Sequence, residues 1–377
     1  MPKITAVEAF PLVLAASDQA SARSYTTKPP WPSIYGSHRE ALVVRVSADD
    51  GTVGWGEALA PVAPEVPAKI VELLLQPAML GADPTRVRPL VGSLRALMRE
   101  RGHLGGHQGD AIAAVDIALW DLAARIAGVG VTQMLGGAYR DTVPTYVSGL
   151  PGKSDAERVA QARDWVEQDV RRIKIGIGHG VRADLATVEA LRDVHPDLQV
   201  GVDVHGVYDV ADAVKLGRGL DRIGAWFLEA PVGFENIEGH AEVARRIDTP
   251  IAIGESLRHR LEFGPWLQAG AAGILQPDVG RTGITELVDL AAMADLWFTP
   301  LAPHHSAGLG IAMAASIQVS AAVQNLLAYE FHPTLFEPVN HILDTPIEPG
   351  PTGFAVRNGP GLGITVDEDA VRAACVA

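Results

Sequence analysis

Three acidic residues, Asp203, Glu229 and Glu255, recur at intervals of 26 residues, each close to the end of a short apolar run. Carboxylates supplied one per repeating unit can converge on a common axis. Three hard oxygen donors, with no cysteine nearby, suit an octahedral Mg²⁺ that keeps positions open for substrate oxygens. Further on, Asp278 ends Leu275-Gln276-Pro277-Asp278 and His304 ends Ala302-Pro303-His304. An aspartate on one strand beside a histidine on the next can orient the imidazole and raise its basicity, so His304 is a candidate general base. His305 would face the opposite side of its strand. Lys174, His205 and Glu330 complete the ionisable groups at such run ends. The plainer alternatives are salt-bridged acids and a hydrogen-bonded core histidine. Seven ionisable ends out of eight argue against charge scattered over a surface.

The elements that must carry these groups follow a rhythm. From residue 142 onward, apolar runs cover 142–148, 173–178, 198–204, 225–230, 250–255, 273–279, 297–303 and 325–330. Helix-patterned segments fill the gaps, and successive run starts differ by 23 to 31 residues. That is the spacing of β-α units, eight of which close an α/β barrel with its chemistry at the C-terminal strand ends. No Gly-x-Gly-x-x-Gly follows the first strand to favour an open doubly wound sheet. Upstream, residues 3–13 and 41–47 alternate as strands, and Asp49-Asp50-Gly51 turns into a third at 52–57. Residues 66–76, 84–100 and 109–127 read as helices. The expected organisation is an α+β domain over 1–130, a barrel over 131–345, and a return over 346–377 that packs on the N-terminal domain. Residues 18–38, rich in proline, glycine and aromatics, are expected to form a lid.

Composition narrows the function. The 377 residues carry a net charge of −14, which argues against a nucleic-acid or anionic-membrane partner. An anionic small-molecule substrate must then be drawn in by local cations. The one cysteine, Cys375, excludes an internal disulfide. No apolar run approaches ~18 residues and no basic, apolar leader opens the chain, so a soluble cytoplasmic protein is expected.

The strand ends Asp203, Glu229, Glu255, Asp278 and His304 together resemble the mandelate racemase subgroup of the enolase superfamily. The resemblance extends to the hairpin Asp50-Gly51-Thr52-Val53-Gly54-Trp55-Gly56-Glu57, to Ala114-Val115-Asp116-Ile117-Ala118-Leu119-Trp120-Asp121, and to Gly359-Pro360-Gly361-Leu362-Gly363. It implies a modified (β/α)7β TIM-like barrel with an N-terminal α+β capping domain, Mg²⁺, abstraction of the proton α to a carboxylate, and a homo-oligomer (dimer or octamer). The subgroup's Lys-x-Lys-Ile-Gly appears here as Arg172-Ile173-Lys174-Ile175-Gly176. One register makes Lys174 a second base, whose charged form Arg172 and Mg²⁺ should disfavour; the other leaves glycine at the base position. Ala230 stands where an acid is common, which should spare the metal.

Asp203-Val204-His205 resembles acid-sugar dehydratases of the D-galactonate dehydratase type, in which such a histidine protonates the departing hydroxyl. The alternative is a histidine that merely supports a ligand carboxylate. Glu330 matches the position that hydrogen-bonds the substrate carboxylate. Loop 18–38 and the hairpin near Glu57 and Ala58 would shape the pocket. The implied activity is Mg²⁺-dependent dehydration of an aldonate or aldarate to a 2-keto-3-deoxy acid. A racemase, epimerase or cycloisomerase on a similar acid is the alternative within the fold, and a non-catalytic sugar-acid binder the alternative outside it.

Overall fold

The computed structural model describes residues 2–15, 38–100, 102–152, 154–350 and 352–376. The lid expected over 18–38 therefore lies, apart from His38, outside the described residues. Strands β1 (Ile4–Ala15), β2 (His38–Ala48) and β3 (Val53–Ala58) form an antiparallel sheet in that order. Its tight turn depends on Gly51 at φ +85°, with the Thr52 amide donating to the Asp50 carboxylate at 2.9 Å.

The helix Gly106–Ala127 lies against β3, almost wholly buried. Its alanine-rich face lets the backbones approach so closely that a Cβ on Gly54 or Gly56 would overlap the carbonyl oxygens of Ala118 or Ala114. Asp121 on this helix accepts from the amides of Trp55 at 2.9 Å and Leu362 at 2.8 Å, and from Arg125 Nε at 2.9 Å. The three segments that carried the family resemblance thus meet at one buried carboxylate.

The second sheet is a closed parallel barrel. Strands β4 (Thr142–Ser148), β5 (Arg172–Gly176), β6 (Gln199–Asp203), β7 (Phe227–Glu229), β8 (Ile251–Ile253) and β9 (Ile274–Leu275) run side by side, and β10 (Tyr329–Phe331) pairs back on β4. Between β9 and β10 the circle closes through residues 300–304. Leu275 donates to Pro300, Leu301 donates to Asn325, and Leu327 donates to Leu301. The expected strand over 297–303 begins late. Trp297, Phe298 and Thr299 still bond back to Ala294 and Asp295, finishing the preceding helix, and Phe298 stands 94% exposed at φ +53°. The apolar run there is a helix exit followed by a strand, which periodicity merges.

Inside the barrel, Tyr146, Phe227, Ala252, Ile274, Ala302 and Ala328 form their own apolar cluster. Phe227 occupies the space that a side chain on Gly201 would need. Large and small residues on facing strands thus fill the barrel interior. The C-terminal segment contacts both parts of the molecule: β11 (Gly353–Ala355) pairs antiparallel with β4, and the Val376 amide donates to Pro11 of β1. Among the described residues, no helix is long and apolar enough to cross a membrane.

Candidate active site

Register brings the predicted residues to one end of the barrel. Asp203 and Glu229 end β6 and β7 and pair with each other, while Gly176 of β5 lies level with Asp203. Lys174 therefore starts one layer deeper and reaches upward. Its Nζ lies 2.8 Å from Glu330 Oε1, 3.0 Å from Glu229 Oε2 and 3.7 Å from Asp203 Oδ2. Burial works against its charge, but Glu229, Glu330 and Asp203 outweigh it and hold Lys174 well above the usual lysine range. The expected help from Arg172 in removing this proton is absent. Arg172 stacks over Trp226 at 5.6 Å and bonds to Gln199 at 3.0 Å. Its three carboxylate partners favour the charged form of Lys174.

Burial, then the charges of Asp203, Glu255 and Glu330, push Glu229 up to about 8, with Lys174 opposing. Glu255 follows β8. Despite its burial it is held far below the ordinary carboxylate range by His304, whose Nε2 lies 3.0 Å from its Oε2.

The other imidazole nitrogen of His304 meets Asp278 Oδ2 at 2.8 Å. Asp278 is fixed in turn, because its Oδ1 accepts from Gly280 at the start of the helix Val279–Asp295. Against the effect of burial, Glu330, Asp278 and Glu255 raise His304 well above the ordinary histidine range. His305 faces away from this cluster. Its ring lies 6.0 Å from that of Tyr329, and burial pushes it down to about 4.

His205 arrives by a route that strand alternation does not describe. β6 ends at Asp203, and His205 adopts φ +49° in the turn that follows. Its amide donates to Asp203 Oδ1 at 2.9 Å, and its Nε2 folds back to 3.3 Å from Asp203 Oδ2. The ring packs over Gly176, its Cε1 3.6 Å from where a Cβ would stand. With its side chain 27% exposed, His205 is open to the barrel mouth.

Glu330 is buried, yet Lys174, His304 and the Ser148 hydroxyl hold it down at about 2. It accepts here from Lys174 and from the His305 amide at 3.1 Å. The hydrogen bond expected from Glu330 to a substrate carboxylate would need a proton that the residue lacks in this state.

Sequence reasoning missed two members of the cluster. Gln276 is fully buried and donates to Glu229 Oε2 at 2.8 Å. It stands two residues before Asp278, a spacing that could have marked it. Ser148 ends β4, the strand without an ionisable end residue. The hairpin expected near the pocket ends beside the site, with the Leu59 amide donating to Gly280 at 2.9 Å; Glu57 itself is fully buried, accepting from Ala312 at 2.8 Å and from Leu309 at the start of the helix Gly310–Ala322.

Among the described residues, no three Asp, Glu, His or Cys side chains stand ready-made around a metal ion. Lys174 and His304 engage the carboxylates instead. The donor chemistry still fits a hard divalent cation, because Asp203, Glu229 and Glu255 bring three carboxylates from adjacent strands to one end of the barrel.

Comparison with known proteins agrees with this architecture. Residues 22–136 match the mandelate racemase / muconate lactonizing enzyme N-terminal domain, and residues 157–370 match the enolase C-terminal domain-like family. The chain belongs to the mandelate racemase / muconate lactonizing enzyme family of the enolase superfamily. It is 31% identical to a D-galactarolactone cycloisomerase of Agrobacterium fabrum, covering 88% of this chain and 90% of that protein. It is 32% identical to a D-galactonate dehydratase of Verminephrobacter eiseniae, covering 87% and 89%. A crystal structure of an enolase-superfamily member from Agrobacterium tumefaciens superposes with a TM-score of 0.91 at 32% identity, covering 99% of each chain.

Proposed function

We propose that this protein is a Mg²⁺-dependent lyase of sugar acids, removing the proton α to a carboxylate and expelling the oxygen at the β-carbon. The observation that carries the reading is the Asp278–His304 pair at 2.8 Å, with the second His304 nitrogen turned toward Glu255 and Glu330. Asp203, Glu229 and Glu255 would hold the cation. When bound, it supplies electrostatic stabilisation of the charge that builds on the substrate carboxylate.

An α-proton beside a carboxylate is weakly acidic, because its loss adds a second negative charge to the same group. His304, oriented through Nδ1 by Asp278, accepts that proton. It can do so only when neutral, and engagement of Glu255 elsewhere removes one of the anions that now keep it charged. Lys174 offsets the growing charge as a cation. His205, at the open mouth, gives a proton to the departing β-hydroxyl, which leaves as water. The enol then tautomerises to a 2-keto-3-deoxy acid.

A ring-opening cycloisomerase is the second reading, supported by the relative from Agrobacterium fabrum. A lactone ring oxygen leaves as a carboxylate and needs no acid, so that reaction would not depend on His205. A racemase would need a second base, and the ion-paired state of Lys174 speaks against it. The test is a panel of aldonates, aldarates and their lactones assayed with Mg²⁺ for 2-keto-3-deoxy products. Aldonate or aldarate turnover lost in His205→Asn supports dehydration. Turnover of lactones alone, retained in that variant, supports ring opening; no product from any member overturns the lyase reading.

A further inference from the structure

Away from the catalytic cluster, a cleft of about 110 Å³ opens where the helix Val87–Glu100 meets the chain beyond β8. Its walls carry Arg95, Arg99, Arg258, Arg260 and His259, with Glu286 as the only carboxylate among the described lining residues. In a chain of net charge −14, four guanidiniums around one cavity call for an explanation.

The surrounding acids do not balance this cluster singly. Glu286 is shared by Arg95 and Arg260, Asp289 by Arg88 and Arg260, and Asp110 by Arg258 and Arg281. Asp116, bonded to Thr285, is the strongest opposite charge acting on Arg95, and Glu262 accepts the Arg258 amide at 2.6 Å and lies 3.8 Å from His259 Nε2. The Arg99 side chain has no hydrogen-bond or ion-pair partner among the described residues and is exposed, while Arg95 Nε and His259 Nδ1 are buried without one. Gly109 keeps the wall open, since a Cβ there would stand 2.8 Å from Arg258 Cγ.

We propose that this cleft is a binding site for a phosphate dianion, either free phosphate or the phosphoryl group of a monoester. Guanidinium forks pair with phosphate through parallel N–H···O bonds. Three oxygens and nearly two charges let phosphate engage several forks, whereas a carboxylate matches one. No residue of the catalytic cluster lines the cleft, so the proposal stands independently of the proposed reaction.

The test is calorimetric titration of the full-length, Mg²⁺-loaded protein with inorganic phosphate and with glucose 6-phosphate at constant ionic strength, in wild type and Arg99→Ala. Arg99 is exposed and unpartnered, so the variant should keep the wild-type melting temperature. The expected result is saturable one-to-one binding that Arg99→Ala weakens by about tenfold or more. Equal affinity for the two probes identifies free phosphate as the ligand, and tighter binding of the ester identifies a sugar phosphate. Absence of saturable binding by either probe overturns the proposal. So does binding that Arg99→Ala leaves unchanged, which would place the anion elsewhere.

Discussion

Replacing Glu57 with glutamine should change how the stability of this protein depends on pH. Burial, opposed by the amides of Ala312 and Leu309, pushes Glu57 up to about 7 from the ordinary glutamate value of 4.5. The folded state therefore holds a proton that the unfolded chain releases between those values. For an acid raised in this way, the linked stability is fully present below pH 4.5 and is lost as pH rises through 7. A shift of this size corresponds to about 3 kcal/mol. Glutamine cannot titrate, but it offers one acceptor oxygen to two amides. Leaving one buried N–H unpaired costs roughly 1–3 kcal/mol. Denaturant unfolding of both proteins at acidic and mildly alkaline pH isolates the effect, because every other titrating group cancels in the difference. Glu57→Gln should be less stable on the acid side, and its deficit should shrink by about 3 kcal/mol across the window. A deficit independent of pH would refute the reasoning.

Other outcomes follow from the same geometry. Asp278→Asn keeps the volume but removes the charge that orients His304, and should lower kcat by roughly 10²–10⁴ with little change in KM; steady-state kinetics check this. Because Lys174 is an ion-paired cation, α-proton exchange in deuterated water should be confined to one C2 epimer of a sugar-acid pair; NMR showing exchange of both would restore Lys174 as a base. Gly56→Ala places a methyl against the Ala114 carbonyl and should cost about 3 kcal/mol or abolish folding, read by thermal unfolding and soluble yield.

The barrel was legible because one β-α unit separates each acid from the next, and the structure sets Asp203 level with Glu229 as that spacing requires. The pairing of Asp278 with His304 was legible for the same reason: each ends an adjacent strand segment. Charge state was not. Arg172 and Lys174 share a strand face, but two residues advance about 6–7 Å along a strand. Arg172 therefore meets Trp226 in one layer while Lys174 meets the carboxylates in the next. His205 reached the expected site through a left-handed turn that no period-two argument describes. The hairpin's place beside the site was legible, but the bonding of Glu57 was not. Its partners are the amides of a helix start some 250 residues away, and nothing local signals them.

The central claim is that His304 removes the α-proton while His205 serves only the departing oxygen. It is tested most directly by following the α-proton of a turned-over sugar acid by NMR in deuterated water, in His304→Asn and in His205→Asn. His304→Asn should show neither exchange nor product, and His205→Asn exchange without product. Exchange persisting in His304→Asn at the wild-type rate would contradict it.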